Sequence, residues 1–342
     1  MRLLVPVVSI VLAALGCRSD PGRPSQPTPI VERAPAGSGS ATPIVERTPT
    51  GSRDPWVVDT TPDPDAPPSL AERHRIADEV CPAVKAPYFF RVEKAGKVSH
   101  ILGTRHLGVS LAKFPPPVHD AIASAKLAVF EVAPGDDSDL PDEKVVLRDA
   151  LGPDLWKHYQ ELVGRTTAQA LESTSPSVAL LAMMAMYEDI SATLDLEIER
   201  VVQDAKIPTR GLETSEFQDR LLHKILDVRM LRASISRTKD RKEIETESRD
   251  DLGEYCAGTD DTPGMDDDMR EDLLASGYTE AELAKIDDEM VFERNADWIP
   301  KLEKILAGGD VFIAVGADHL SGPKGIVALL AKRGYKLTRI TK

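Results

Sequence analysis

The stretch that decides the fold is DVFIAVGADHLSGPKGIVALLAKRGYKLTRI, residues 310–340. An apolar run from Val311 to Val315 ends at Gly316; a Ser-Gly-Pro cluster, a helix-patterned run from Gly325 and a second β-rich run at Tyr335–Ile340 follow. Strand, helix and strand within about thirty residues is the pattern of a βαβ unit in a parallel sheet. His319 stands three residues past Gly316, just beyond the carboxyl end of the first strand.

The same arrangement occurs near the start of the folded region. KVSHILGT (97–104) ends in Gly103-Thr104-Arg105-His106, PVHDAIASAK (117–126) has the spacing of a short helix, and LAVFEV (127–132) reads as the next strand. Two of only seven histidines thus occupy equivalent Gly-x-x-His settings. In open α/β sheets the crevice outside the carboxyl ends of the strands is where ligands bind. Gly103 and Gly316 are read as residues that let the backbone turn tightly there. Ahead of this unit, FFRVEK and KVSHILGT flank Lys94-Ala95-Gly96-Lys97 as a β-hairpin.

The middle of the chain carries helical periodicity. LGPDLWKHYQELVGRTT, SPSVALLAMMAMYEDI and TLDLEIERVVQDAK each repeat apolar residues at helix spacing, and Ser175-Pro176 reads as a helix start. Met183, Met184 and Met186 are read as a buried helix face. IPTRGLE is a brief strand ending at Glu213, followed by a long charged helical stretch to about Leu252; FERNADWIPKLEKILAGG is the last helix before Val311, closed by a glycine pair. The expected class is a mixed, mainly parallel α/β sheet flanked by helices, with an N-terminal hairpin and a helical insertion over about 140–290.

The ends and composition set the compartment. Residues 1–17, MRLLVPVVSIVLAALGC, combine Arg2, an apolar run from Leu3 to Leu15 and Gly16 before Cys17, which reads as a secretory signal with a lipidated Cys17. The run is shorter than the roughly 18 residues of a spanning helix. Residues 18–69 are rich in Pro, Ser, Thr and Gly, with TPIVERAPAGS echoed by TPIVERTPTGS. Such a tract buries too little apolar surface to offset chain entropy and reads as a tether. Residues 70–342 form the folded domain, exported to the cell envelope and held at the outer membrane or cell surface. The net charge of −14 argues against nucleic acid as a partner. Cys81 and Cys256 remain, either as a disulfide in an oxidising compartment or as two separate thiols.

Glu131 ends LAVFE, Glu213 ends PTRGLE, and Arg294-Asn295 lie on the last helix before Val311. Charged residues at the ends of apolar strands need partners, so His106, His319, Glu131 and Glu213 are expected to converge. Two imidazoles, His106 and His319, and one of the two carboxylates suit a divalent transition metal such as Mn, Co or Zn, with positions left open for water and substrate. Without a metal, a histidine would act as general base, a glutamate would orient it and Arg294 would meet an oxyanion, giving Glu131, Glu213, Arg294 and Asn295 catalytic roles. As crevice residues, His106 and His319 are expected to contribute little to folding. The remaining histidines, His74, His100, His119, His158 and His223, are read as structural or surface residues.

At these residues the chain resembles the TraB/GumN family, which includes the animal Tiki proteins. The segments are FFRVEKAGKVSHILGTRHLG, AVFEV, GLETSEFQ, ERNADWIPKLEKIL and FIAVGADHLSGPKGIVALLAKRGYKLTRI. The resemblance implies a mixed α/β fold related to the erythromycin esterase and ChaN-like groups, with a pocket built from His106, His319 and Glu131. It also implies a metal-dependent hydrolase acting on a peptide or another small substrate: Tiki members are proteases of a secreted signalling protein, and other members are linked to peptide pheromones. The alternatives it leaves are a haem- or ligand-binding lipoprotein using the crevice histidines and a metal-free esterase. Arg105 and Asp318 depart from the small residues usual beside these histidines and bring charge next to the site.

Overall fold

The computed structural model describes residues 66–138, 144–259 and 264–341. The signal segment with Cys17 and the tether as far as residue 65 lie outside the described residues, as does part of the acidic stretch at 260–268.

A six-stranded sheet carries the fold, in the order β4-β3-β5-β2-β1-β6. Strands β1 (Phe89–Lys94) and β2 (Lys97–Thr104) form the expected hairpin, with Ala95 and Gly96 both at positive φ in its two-residue turn. That conformation matches the right-handed twist of the paired strands. Strands β3 (Leu127–Val132), β4 (Thr209–Glu213) and β5 (Val311–Gly316) run parallel to one another and to β2, while β6 (Lys336–Arg339) pairs antiparallel with β1. Both helical crossovers read from sequence are present, but neither joins neighbouring strands. The last strand of the parallel set, β5, inserts between β2 and β3, and β6 is separated from β5 by both β2 and β1. A βαβ pattern specifies parallel direction; which slot a later strand fills depends on contacts far away in the chain.

This insertion positions the site. In the register of β2 and β5, Gly103 lies opposite Val315 and Thr104 opposite Gly316, so both Gly-x-x-His segments leave adjacent strands side by side. Val132 lies opposite Glu213 one strand further out.

The helices that carry or brace the crevice and its surroundings are α1 (Leu70–Val80), α2 (Pro116–Ser124), α3 (Leu194–Asp204), α4 (Ser215–Ile225), α5 (Arg241–Ala257), α6 (Glu293–Leu306) and α7 (Ile326–Lys332). Helix α3 forms because Leu194, Ile198 and Val202 recur at helical spacing and bury into the sheet core with Phe89, Ile101 and Phe312. A second core lies among the helices between β3 and β5, where Tyr159, Leu181 and Met183 are fully buried. Met184 and Met186 share it, and Ser175 caps its helix by accepting from Val178 N. The charged stretch after β4 is not one helix. It breaks at Asp227 and Asp240, whose side chains cap new helices at Val228 and Arg241.

A disulfide joins Cys81, at the end of α1, to Cys256, in the last turn of α5, with the Cα atoms 5.8 Å apart. No helix among the described residues is long and apolar enough to cross a membrane.

Candidate functional site

The crevice at the carboxyl ends of β2, β3, β4 and β5 gathers every residue expected there. His106 and Glu131 are nine-tenths or more buried, and His319 and Asn295 are fully enclosed. Their proximity can be read from Gly316: a Cβ placed on that residue would sit 3.2 Å from Glu131 Oε1, 3.5 Å from His319 Cδ2 and 3.9 Å from His106 Nε2. One missing methyl group therefore leaves a space bounded by both imidazoles and the carboxylate.

The two glycines work by close approach and not, as their setting suggests, by a turn. Neither has a positive φ among the described residues; Gly316 lies at φ −52°. A Cβ on Gly103 would meet Leu320 Cδ1 at 2.8 Å, Tyr88 Cβ at 2.9 Å and Ala317 Cα at 3.0 Å, so Gly103 lets the two motif loops pack against each other.

Arg294 is the hub. Nη2 donates to Glu131 Oε2 (2.6 Å) and Glu213 Oε1 (2.7 Å), Nε donates to Glu213 Oε2 (3.1 Å), and Nη1 donates to the Met290 carbonyl (2.8 Å) and His319 Nε2 (3.2 Å). These contacts engage all five N–H donors of a guanidinium, so Arg294 meets an oxyanion only by releasing one of them. Helix α6 presents Arg294, Asn295 and Trp298 on its buried side. A π-helical turn at Asp288–Phe292 leads into it, a distortion often found at functional sites.

The remaining bonds fix each group. Glu131 Oε1 accepts the Gly316 N–H at 2.7 Å, and Gln218 Nε2 donates to both Glu131 (3.2 Å) and Glu213 (3.1 Å). Trp298 Nε1 donates to Glu213 Oε2 at 3.1 Å, and its ring lies 4.5 Å from that of His319. Asn295 Oδ1 accepts from His319 Nδ1 at 2.7 Å, while its Nδ2 donates to the carbonyls of His319 and Lys324. His106 Nδ1 lies 2.6 Å from Asp195 Oδ2, and Thr104 Oγ1 donates to Asp195 Oδ1 at 2.8 Å. His106 Nε2 is buried with no hydrogen-bond partner in the protein.

Charge states follow from these partners. Burial pushes the Glu131 carboxyl up, but Arg294, the site imidazoles and the Gly316 N–H outweigh it and hold the group at about 2. For Glu213 burial prevails and its pKa is raised. Burial also drives His319 down to about 3, since Glu131 cannot offset burial and Arg294 together. His106 is opposed by burial yet raised, because Asp195 faces its ring. The two histidines are alike in sequence and unlike in chemistry. Asp195 pairs with His106, while Glu131 and Glu213 share the single guanidinium of Arg294.

The donors fit a divalent transition metal in kind: two imidazole nitrogens whose Nδ1 atoms are engaged elsewhere, and a carboxylate oxygen 3.7 Å from His319 Nε2. They do not form a closed cage. Among the described residues no group of three or more His, Cys, Asp or Glu side chains is set to hold an ion, and Arg294 Nη1 stands beside His319 Nε2.

Sequence reasoning missed Asp195, Gln218, Trp298 and Thr104. Gln218 and Trp298 belong to segments already singled out, whereas Asp195 reads as an ordinary acidic residue in the first turn of a helix. Arg105, expected to bring charge to the crevice, pairs with the buried Glu188 at 2.6 Å. Asp318 is half-buried and adds to the field that raises His106.

The TraB/PrgY/gumN family model matches residues 88–339, from the hairpin to the last strand. No curated protein and no solved structure matches the chain. By that match the chain belongs to the TraB/PrgY/gumN family.

Proposed function

We propose that this TraB/PrgY/gumN family member is a lipid-anchored hydrolase of peptides, working through a divalent ion held by His106, His319 and Glu131. The observation that carries the reading is His106 Nε2. It is a buried lone-pair position with no protein partner, held in place by Asp195 and facing the space that Gly316 leaves beside Glu131 Oε1. Burying a polar atom unpaired is costly unless something else occupies its partner's place. A bound ion would polarise a scissile carbonyl and make a hydroxide available near neutral pH.

The chain's own groups have separable tasks in this reading. Glu131 stays ionised, so an acceptor oxygen remains on the crevice side. Asn295 keeps the proton of His319 on Nδ1 and its lone pair on Nε2. Arg294 and Gln218 hold Glu131 and Glu213 at fixed separation, and Trp298 backs Glu213. The anchor through Cys17 would hold the domain at the envelope surface on its tether.

A metal-free hydrolase is the second reading, favoured by Arg294 Nη1 at 3.2 Å from His319 Nε2, where a metal ion would compete. In it, His106 Nε2 takes the proton of the attacking water and Asp195 supports the resulting imidazolium.

The test uses full-length protein in detergent, analysed for bound Mn, Co and Zn and assayed on a peptide mixture and on simple esters, before and after chelation. Peptide cleavage that is lost with the metal and restored by adding it back supports the first reading. Cleavage that survives chelation transfers the activity to the second. No cleavage by protein of verified fold and metal content rejects both.

A further inference from the structure

We propose that Asp195 is a positioning residue for the site: it fixes His106 as the tautomer protonated at Nδ1, with the Nε2 lone pair directed into the crevice, and Thr104 in turn fixes Asp195. The inference rests on the reading that the crevice side of His106 is its working side. A carboxylate accepts hydrogen bonds and donates none. With Oδ2 at 2.6 Å from His106 Nδ1 and Oδ1 accepting from Thr104 Oγ1 at 2.8 Å, both oxygens of Asp195 are taken by donors of the first motif. The proton of a neutral His106 therefore belongs on Nδ1.

The helix that supplies Asp195 is held in register with the motif at several points. Leu194, Ile198 and Val202 anchor α3 in the sheet core, and Asp195 sits in its first turn, where a negative charge is favoured by the helix dipole. Just before the helix, the Asp189 and Ala192 carbonyls accept the N–H of Gly108. Within the first turn of the helix, Glu197 Oε2 accepts from Ser110 Oγ and Leu111 N. The loop carrying His106 is thus gripped on both sides of the histidine by the segment that carries Asp195. The second motif is held differently: Ala317 stands where Thr104 stands in the first, and a neutral amide, Asn295, faces His319 Nδ1 and donates to the carbonyls of His319 and Lys324.

Groups that orient a metal-binding or catalytic histidine through its second nitrogen typically change metal affinity by about ten- to a hundredfold when lost. The informative substitution is Asp195→Asn, which keeps shape and volume. Its amide can accept from Nδ1–H or, turned over, donate to a bare Nδ1, so the tautomer is no longer dictated.

The experiment is long-range proton–nitrogen NMR of full-length protein labelled with nitrogen-15 in histidine, with the His106 signals assigned by their loss in His106→Gln. The expected result is a single Nδ1–H tautomer in the wild type and an Nε2–H population in Asp195→Asn, with the melting temperature of that variant within a few degrees. Zn2+ alone serves as the probe for affinity, expected to fall about tenfold or more in Asp195→Asn. Neutral wild-type His106 carrying its single proton on Nε2, or Asp195→Asn with the tautomer unchanged, overturns the inference. If the wild type binds no Zn2+, the metal-dependent reading falls, while the NMR comparison still decides the role of Asp195.

Discussion

Replacing Glu131 by Gln removes one charge from the buried cluster while keeping its shape, and the structure sets both the size and the pH dependence of the effect. The carboxylate is 6% exposed, accepts from Arg294 at 2.6 Å and from Gly316 N at 2.7 Å, and is held at about 2 in place of an ordinary 4.5. A carboxyl whose folded pKa is depressed contributes stability above its unfolded value, and that stability is lost as pH falls through the folded value. The shift corresponds to on the order of 3 kcal/mol at pH 7, declining to about 1 kcal/mol at pH 3. Glutamine cannot recover it, because its amide nitrogen must face either Arg294 or the Gly316 N–H, donor against donor. Urea denaturation of both proteins at pH 7 and pH 3 measures the effect. At neutral pH the midpoint of Glu131→Gln should lie about 1 M lower, for a slope of about 3 kcal/mol/M, and the gap should shrink by roughly half or more in acid. Glu213→Gln is the internal comparison: burial raises the Glu213 pKa, so ionised Glu213 opposes folding at neutral pH and its removal should cost less. An equal loss at both pH values for Glu131→Gln would refute the electrostatic account and leave packing as the cause.

The two motif glycines should separate fold from function: Gly103→Ala drives a methyl into Tyr88 and Ala317 and is expected to destabilise by about 1–3 kcal/mol, whereas Gly316→Ala places it in the crevice and should reduce ion uptake or hydrolysis at nearly unchanged melting temperature. Thermal melts paired with Zn2+ titration distinguish these outcomes. His319→Ala should cost about 2–4 kcal/mol, contrary to the expectation that a crevice histidine supports little of the fold, because the ring is fully buried against Trp298; a denaturant midpoint matching the wild type counts against this. Replacing both Cys81 and Cys256 by Ser should lower stability by about 2–5 kcal/mol, since their disulfide closes a loop of 175 residues. Free-thiol counting on the denatured, unreduced wild type should find neither cysteine reactive.

What was legible in the sequence is what local chemistry dictates. The hairpin at Lys94–Lys97, the strands that end at Glu213 and Gly316 or one residue past Gly103 and Glu131, and the helix start at Ser175-Pro176 each follow from a few adjacent residues. Strand order was not legible, because β5 enters its slot between β2 and β3 through pairings such as Ile101 with Ile313, more than two hundred residues apart. That slot makes neighbours of the two Gly-x-x-His segments, so strand-end position located each histidine without explaining why the pair meets. Asp195 was hidden for a related reason. Its contact with His106 spans 89 residues, and an acidic side chain in the first helical turn already has a sufficient local explanation in the helix dipole. A residue whose position satisfies a local rule shows no sign in sequence of a second, distant partner; Glu131, a charge at the end of an apolar strand, violates a local rule and for that reason could be found.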